Sequence, residues 1–479
     1  MILNLKRYSI SQLIYVLFIF FLPFTALGYF FDYFKAWCQN ASLIFLLIGT
    51  IISIILYINK NTKIKIDSII LILLIYCTYI YLSGIILSSY FYFTKIIPDT
   101  IVIKESILKA WTIGLIFLSF IYTYTYNNQR DDLQLSIRTI YFSLLFVIIY
   151  GYIQILVLLF PNEALISFYM TIQKYINFSW IEMFKNSNLQ PQVLLWKRIM
   201  LTNQEPSIAA YMLQTLFYPF LFSSALSNFT VFEHFKIKAE YLLLLLSLPL
   251  IIFTFSTAGF IVLLMQIIIF LYLVFKYKKI QIYTKYNKFL IISIPLIIIL
   301  LLYCIAKNDE FLNLLKESII KLFMDGSYQG SAQTRFSLLV AGLKQFFYSP
   351  IFGVGFGNAK YFLDNYIPHW GQNAEIAYFV TTKMALTAKA LFIRILIETG
   401  IMGIIPLIIF IAKTTRSFIK IDIQNTDTHS MLKFFKYSYI FFFPAFILHS
   451  FNHGAFFIIF QWALIGLYFS VLKIKNNNI

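Results

Sequence analysis

The run WKRIMLTNQEPS places charged and small polar side chains just before a long apolar stretch. Pro206 suits the first turn of a helix, and Asn203 and Ser207 carry amide and hydroxyl groups that favour a helix N-terminus. Glu205 adds a carboxylate that could accept a proton, and Arg198 adds a cation earlier in the same run. Such charges beside an apolar stretch are costly and therefore indicate a site. The alternative is an ordinary capped helix start.

A second polar stretch, RFSLLVAGLKQFFYSPIFGVGFGN, begins at Arg335 and ends at Asn358. Its first half is patterned as an amphipathic helix, so Arg335 could bind an anionic group or snorkel to lipid phosphate. Its second half contains three closely spaced glycines, Gly353, Gly355 and Gly357. Glycine lets the backbone approach another group closely, and that group is either a ligand or a second helix.

Further cations follow at Lys383, Lys389 and Arg394. Lys383 and Lys389 are candidates for holding a phosphate, whereas Arg394 is spaced i, i+4 from Glu398 and can form a structural ion pair with it. No metal site or cofactor is expected, because the His, Cys, Asp and Glu residues lack ligand spacing. The chain also lacks a P-loop and a dinucleotide-binding glycine fingerprint.

These stretches lie in a chain of 479 residues that is 60% hydrophobic. Apolar runs of about 20 residues are typical of transmembrane helices, and their continuous pattern excludes the alternating strands of a barrel. The net charge of +18 would suggest nucleic acid in a soluble protein. Here lysines and arginines of cytoplasmic loops explain it, so the expected surroundings are the lipid bilayer and no nucleic acid partner is predicted.

The pattern predicts an all-α integral membrane protein with about twelve transmembrane helices, forming a single polytopic domain over residues 1–479. The apolar runs fall at about 11–31, 41–59, 67–88, 106–126, 139–160, 206–226, 240–256, 258–275, 289–306, 391–412, 435–451 and 454–472. The seventh and eighth runs meet at Ser256-Thr257-Ala258-Gly259, which is predicted to form a tight turn. The alternative is one long tilted helix.

The distribution of positive charge orients the spans. With the N-terminus inside, the loops assigned to the cytoplasm hold twenty-one lysines and arginines, and the short outside loops hold four. The positive-inside rule therefore favours twelve spans with both termini cytoplasmic over eleven spans. Two long loops, 161–205 and 307–390, are then external. Both have apolar residues at helical spacing, so short ordered helices are predicted in them.

Several motifs coincide in one order along the chain. Arg198 and the EPS run open a middle helix, STAG makes the turn, Arg335 leads through PIFGVGFGN, and LIETGIMG follows. In this order and external placement the chain resembles the O-antigen polymerase and ligase superfamily, which includes the Wzy-type polymerases with their Wzy_C domain. The resemblance covers about residues 195–410 by motif and the whole chain by topology.

The resemblance implies a glycosyltransferase of the GT-C type at the outer face of the bacterial inner membrane. Its substrate would be an oligosaccharide linked to undecaprenyl pyrophosphate, and its product O-antigen of lipopolysaccharide, capsule or exopolysaccharide. A polymerase moves the growing glycan from its lipid pyrophosphate to a hydroxyl of the next repeat unit, with no metal or nucleotide. A chain-length regulator is a further partner that the resemblance implies.

The same resemblance implies roles for individual residues. Arg198, Arg335, Lys389 and Arg394 would cradle the leaving pyrophosphate. Glu205, in a partly desolvated setting, would act as base toward the acceptor hydroxyl. Further substrate-binding candidates are Asn203, Ser207, Gly353, Gly355, Gly357, Asn358 and Lys383.

One position departs from the family pattern and bears on the alternatives. Many ligases and some polymerases carry a His-Asn pair about nine residues before the glutamate that corresponds to Glu398, where this chain has Lys389-Ala390. This counts against a ligase, which would transfer finished glycan to lipid A core or protein. The third alternative is a lipid-linked oligosaccharide flippase or transporter. The lack of an internal repeat and the clustering of polar residues in the two long loops disfavour it.

Overall fold

The computed structural model of the protein is a bundle of helices around one large apolar core. The described residues are 9–27, 40–59, 68–97, 99–176, 193–194, 197–203, 205–227, 229–232, 239–276, 331–381, 388–421, 428–452 and 458–477. Within these ranges the regular structure is helical and contains no strand.

The helices are numbered in chain order. Their bounds are α1 Ile10–Phe20, α2 Ser42–Asn59, α3 Ser68–Phe93, α4 Ile101–Tyr126, α5 Arg130–Leu159, α6 Glu163–Ile176, α7 Pro206–Leu226, α8 Ala239–Phe253, α9 Thr257–Lys276, α10 Ser331–Tyr348, α11 Ala374–Thr381, α12 Leu391–Ile419, α13 Thr428–Asn452 and α14 Ile459–Asn477. Three short 3-10 turns lie between α10 and α11, at Ala359–Tyr361, Leu363–Tyr366 and His369–Gly371.

Six of the described helices, α3, α5, α7, α9, α12 and α13, are long and apolar enough to cross a membrane by length and composition. Helices α1, α2 and α8 are shorter apolar helices. The prediction of an all-α membrane protein is therefore confirmed. The predicted run 289–306 lies outside the described residues, and both the count of twelve spans and the GT-C architecture stay predictions.

The first helix is shorter than its apolar run. The run predicts a helix to residue 31, but α1 ends at Phe20. Pro23 has no amide hydrogen to continue a helix. Its carbonyl instead accepts a hydrogen bond of 2.6 Å from the hydroxyl of Thr202, a residue of the first long loop.

The tight turn between the seventh and eighth runs is confirmed. Helix α8 ends at Phe253 and α9 begins at Thr257. The Ser256 hydroxyl caps the new helix by accepting a hydrogen bond of 3.2 Å from the amide of Gly259. The two runs are therefore separate helices and not one long one.

Helix α7 lies at the centre of the bundle, with 94% of its most apolar stretch buried. Its middle residues, Leu213–Phe217, form a π-helical turn just before Pro219. A proline inside a helix removes one hydrogen bond and crowds the carbonyl four residues earlier, and a wider turn relieves that crowding. The chain leading into this buried helix carries Glu205 and Arg198. The position of α7 in the bundle therefore constrains the positions of both residues.

Helix α12 is broken at Gly400, and the glycine-rich loop after α10 fills the break. Gly400 has φ +63° and ψ −162°. The amides beyond the break turn outward: Ile401 donates to the carbonyl of Pro350 at 2.9 Å and Met402 to that of Ile351 at 3.2 Å. In return, the amide of Val354 donates to the carbonyl of Ile397 at 2.9 Å. The loop thus supplies the backbone partners that a continuous helix would have supplied itself.

The other end of the same loop is fastened to α3 and α4. Asn358 is fully buried. Its side-chain nitrogen Nδ2 donates to the Ser88 hydroxyl at 2.9 Å and to the Val354 carbonyl at 3.0 Å. Ser88 also hydrogen-bonds Ser106 of α4. Beside this contact, the Tyr361 hydroxyl donates to Glu105 at 2.9 Å. The loop therefore joins α3 and α4 to the broken helix α12.

Replacing Gly400 with alanine is expected to destabilise the protein by on the order of 3 kcal/mol. The position has a positive φ, and an added Cβ would lie 2.2 Å from the carbonyl oxygen of Ile351. Gly114→Ala is the matched control, because a Cβ there meets no atom within 4 Å and alanine favours a helix. Unfolding midpoints in detergent measure both, and equal midpoints for the two variants would contradict this account of the break.

Candidate functional site

One buried side chain holds the segment that carries Arg198. Gln154 of α5 is fully buried. Its side-chain oxygen accepts hydrogen bonds from the amides of Met200 and Leu201 at 3.1 and 2.9 Å. Its side-chain nitrogen donates to the carbonyl of Leu201 at 3.2 Å. A single glutamine of a membrane helix therefore satisfies three backbone groups of a non-helical segment.

The same segment is also tied to the residues after α1 and to the end of α8. The Thr25 amide donates to the carbonyl of Thr202 at 3.2 Å, and the Thr25 hydroxyl donates to the Asn203 side chain at 2.8 Å. The amide of Ile199 donates to the carbonyl of Phe253 at 3.0 Å. Asn203 is fully buried. Its observed role is therefore to anchor the segment, and its predicted contact with substrate stays a prediction.

Backbone strain is concentrated around Arg198. Four non-glycine residues of the described chain have a positive φ, and three of them belong to this region. They are Lys197 at +50°, Leu201 at +52° and Phe255 at +48°. Each such conformation costs about 1–2 kcal/mol and persists only when the surroundings impose it. Strain held beside a charged side chain supports the hypothesis of a functional site here.

The positive charge of Arg335 acts on Arg198, although the two residues are far apart in sequence. Burial lowers the pKa of Arg198, and the nearby positive charge of Arg335 lowers it further. Arg198 and Arg335 are both partly buried. Two guanidinium groups in electrostatic range, partly withdrawn from water, produce a concentrated positive potential. This is an arrangement suited to an anion that carries more than one charge.

Contacts with the following turns fix the position of Arg335 at the start of α10. The Asn373 side chain donates to the Thr334 hydroxyl at 2.9 Å. Gly371 lies so close that an added Cβ would be 2.3 Å from the side chain of Ser337. The rings of Phe336 and Trp370 stand 5.5 Å apart. Neighbours on both sides in sequence are therefore packed, and Arg335 is held in place between them.

Glu205 precedes the first residue of α7, as predicted, with Pro206 opening the helix. The Ser207 hydroxyl donates to a Glu205 carboxylate oxygen at 3.3 Å. The expected partial desolvation is wrong, because the Glu205 side chain is exposed to solvent. The positive end of the α7 dipole favours a negative charge at this position. Glu205 is thus placed as an accessible carboxylate at the start of α7.

The glycine loop makes its close contacts with the protein itself. Gly353, Gly355, Gly357 and Asn358 are all buried, and the three glycines have φ between +68° and +87°. A Cβ on Gly353 would lie 2.4 Å from the carbonyl oxygen of Ile397. A Cβ on Gly355 would lie 2.9 Å from Leu87 of α3. These contacts favour the packing alternative, and direct substrate binding by the loop stays a prediction.

The downstream cations divide into three cases. Arg394 and Glu398 form the predicted i, i+4 ion pair, with Arg394 Nε 3.2 Å from Glu398 Oε1. Both residues are buried, with residue exposures of 8% and 1%, which favours the structural role of Arg394. Lys389 is partly buried and follows Ala388, which belongs to the apolar cluster of α10. Lys383 lies outside the described residues.

A polar network around Tyr211 and Gln214 fixes α7, and no sequence motif indicates it. The Tyr211 hydroxyl donates to Gln461 at 2.8 Å. The Gln214 side chain donates to the carbonyl of Gly259 at 2.6 Å, and its oxygen is 2.7 Å from His449 Nε2. His449 of α13 therefore contacts α7 through Gln214. Across the described residues, no group of three or more His, Cys, Asp and Glu side chains could hold a metal.

Gln154 and Gln214 share a signal that could have identified both. Each is an uncharged polar residue inside a long apolar run. Such residues are costly in a membrane and usually bond to backbone or to one another. Charged residues and motifs give no indication of these amides.

Comparison with known proteins adds one finding. Residues 242–408 match the model of the Wzy_C family, described as O-antigen ligase. This match supports the O-antigen polymerase and ligase superfamily, whose members are membrane glycosyltransferase-like enzymes. The matched segment includes Arg335, the glycine loop and the break at Gly400, whereas Arg198 and Glu205 precede it. No curated protein matches the chain.

Gln154→Leu is expected to destabilise the protein by about 3 kcal/mol, because it leaves two buried amides and one buried carbonyl without their partner. Gln134→Leu on the same helix is the control, since no side-chain hydrogen bond of Gln134 occurs within the described ranges. Unfolding midpoints in detergent compare the two. Equal small losses would show that Gln154 does not hold the segment.

The ion pair of α12 can be separated from substrate binding by a double replacement. Arg394→Met is expected to cost about 3 kcal/mol or more, because it leaves Glu398 charged and buried. Adding Glu398→Leu should restore most of that stability and most of the activity. Activity that stays lost in a double variant of restored stability would instead assign Arg394 to the substrate.

Proposed function

We propose that this chain polymerises oligosaccharide repeat units carried on undecaprenyl pyrophosphate. An acceptor hydroxyl of one lipid-linked unit attacks the anomeric carbon of the growing glycan. The new glycosidic bond forms as the bond from that carbon to the pyrophosphate oxygen breaks. The hydroxyl proton passes to a base, and undecaprenyl pyrophosphate leaves. We place this reaction at the outer face of a bacterial inner membrane, with both termini cytoplasmic.

The observation that carries the proposal is the approach of Arg198 to Arg335. Negative charge grows on the pyrophosphate as the bond to the sugar breaks. Preorganised cations stabilise such a transition state more than the ground state, which is what raises the rate. Guanidinium groups bind phosphate oxygens through two parallel N–H donors, so they orient the leaving group as well as neutralise it.

Glu205 is our candidate for the base. Its carboxylate is exposed and lies at the start of the buried helix α7, on the segment that carries Arg198. An ionised carboxylate can accept the proton of an acceptor hydroxyl that approaches from solvent. The neighbouring Ser207 hydroxyl, which donates to Glu205, limits the rotation of the carboxylate. A chain-length regulator would act on the growing product, and not on this step.

A ligase is the second candidate function, because the matched family model is described as O-antigen ligase. A ligase uses the same donor and the same leaving group, so the arginine pair serves either reaction. The two differ in acceptor, which is a lipid-linked repeat unit for a polymerase. Lys389-Ala390 occupies the position where many ligases have His-Asn, and we therefore favour the polymerase.

Arg335→Ala and Arg198→Ala are each expected to lower polymerisation about 100-fold by removing a donor to the leaving group. Arg335→Lys should lose about tenfold, since it keeps the charge but not the paired donors. Glu205→Gln should lose activity without loss of donor binding. Purified protein with lipid-linked repeat units, resolved by glycan length, measures each variant. Arg416→Ala, an exposed arginine on α12, is the control.

The cellular product distinguishes the candidate functions. A polymerase defect leaves single repeat units on the surface. Lipid-linked polymer that is no longer transferred to its final acceptor would identify a ligase, and repeat units retained in the cytoplasm would identify a flippase. Full-length chains from the Arg335→Ala variant, present at its usual level, would refute the site assignment.

A further inference from the structure

A cavity of about 540 Å³ lies far from the candidate site, between α3, the second half of α12 and the end of α14. Lys413 and Lys420 of α12 and Lys475 of α14 contribute to its lining. Its volume falls in the range of about 300–1,000 Å³ that is usual for small-molecule sites. The proposed reaction gives this cavity no role.

The three lysines gather at one part of the cavity. Lys413, Ser417 and Lys420 are spaced i, i+4, i+7, so they share one face of α12. Lys475 approaches from the last turn of α14. Within the described ranges no salt bridge joins these lysines to a carboxylate. The lining therefore holds concentrated positive charge and a serine hydroxyl.

The remainder of the lining is apolar apart from Thr414, and it borders two shallow crevices. Ile72, Pro406 and Phe410 line both the cavity and a crevice between α3 and α12 that reaches Trp462. Phe410 also lines a second crevice, between α12 and α13, whose walls are mostly aromatic. Two apolar surfaces thus lead away from one cationic cavity.

This cavity belongs to the opposite end of α12 from the arginine pair. The break at Gly400 and the loop that fills it lie at the α10 side of the bundle. From Gly400 to Lys420 the helix rises about 30 Å, at about 1.5 Å per residue. That is the thickness of the hydrocarbon core of a bilayer. Lys413 and Lys420 therefore lie about 20 and 30 Å along α12 from the break, toward the opposite side of the bilayer.

We propose that the cavity binds an anionic diacyl phospholipid, with its phosphate among Lys413, Lys420 and Lys475. The charge of the cavity complements a phosphodiester, and ammonium groups at a membrane surface attract anionic lipid. Apolar side chains of α3, α12 and α13 border the cavity, so the acyl chains of such a lipid would lie against them. Lysines that only balanced the dipoles at the ends of α12 and α14 would show no preference among lipids.

The first test uses the unaltered protein. The full chain is placed in bilayer discs that contain phosphatidylglycerol with a photoactivatable group in an acyl chain, and labelled peptides are identified by mass spectrometry. Labelling concentrated in residues 405–420 and 465–475, and suppressed by excess phosphatidylglycerol but not by phosphatidylcholine, is the expected result. Labelling spread evenly over the lipid-facing helices would overturn the proposal.

The second test removes the charge of the cavity. The triple variant Lys413→Gln, Lys420→Gln, Lys475→Gln should retain phosphatidylglycerol about tenfold less than the native chain in native mass spectrometry. The control Lys95→Gln, Lys104→Gln, Arg416→Gln removes as many charges from exposed positions outside the cavity and should retain the lipid. Equal retention by the triple variant, or equal loss in the control, would refute the site. Preferential retention of undecaprenyl phosphate would refute the occupant.

Discussion

The backbone hydrogen bonds that cross the break in α12 are the constraint on which the rest of the structure depends. A helix broken inside a membrane exposes amides and carbonyls that lipid cannot satisfy. The segment after α10 satisfies them, with Pro350 and Ile351 accepting from one half of α12 and Val354 donating to the other. Because that segment follows α10 directly, the same bonds fix the end of the helix on which Arg335 lies. The polar start of α10 is thereby held in place by the membrane bundle.

Two kinds of buried polar group support the site from opposite sides. On one side, Gln154 bonds the strained segment that carries Arg198. On the other, Asn373 and the turns before it pack against the residues beside Arg335. The proximity of the two guanidinium groups is unfavourable by itself, and it is stabilised only because each is held by an independent set of contacts. Such rigidity would suit the proposed reaction, since cations that are already in place need not reorganise as a leaving group departs.

The sequence predicted the class of fold, the start of α7 at Pro206, the turn before Thr257 and the ion pair between Arg394 and Glu398. These depend on local patterns: apolar length, capping residues and helical spacing. The break at Gly400 and the burial of Asn358 could not be predicted in the same way. Each depends on a partner more than 40 residues away, such as Ile351 for the break or Ser88 for Asn358. The sequence predicted a shared role for Arg198 and Arg335. That the charge of one acts on the other is evident only from the structure.

The anchoring of the glycine loop has a consequence for how the protein is made. Asn358 bonds to Ser88, and the hydroxyl of Tyr79 donates to the carbonyl of Thr399 at 3.0 Å. The segment that matches the family model is therefore not an autonomous folding unit, because its most constrained backbone is completed by helices from the first quarter of the chain. During synthesis from the N-terminus, α3 and α4 emerge long before the loop. The surface that receives the loop can thus be assembled in the membrane before the ribosome has translated Gly353.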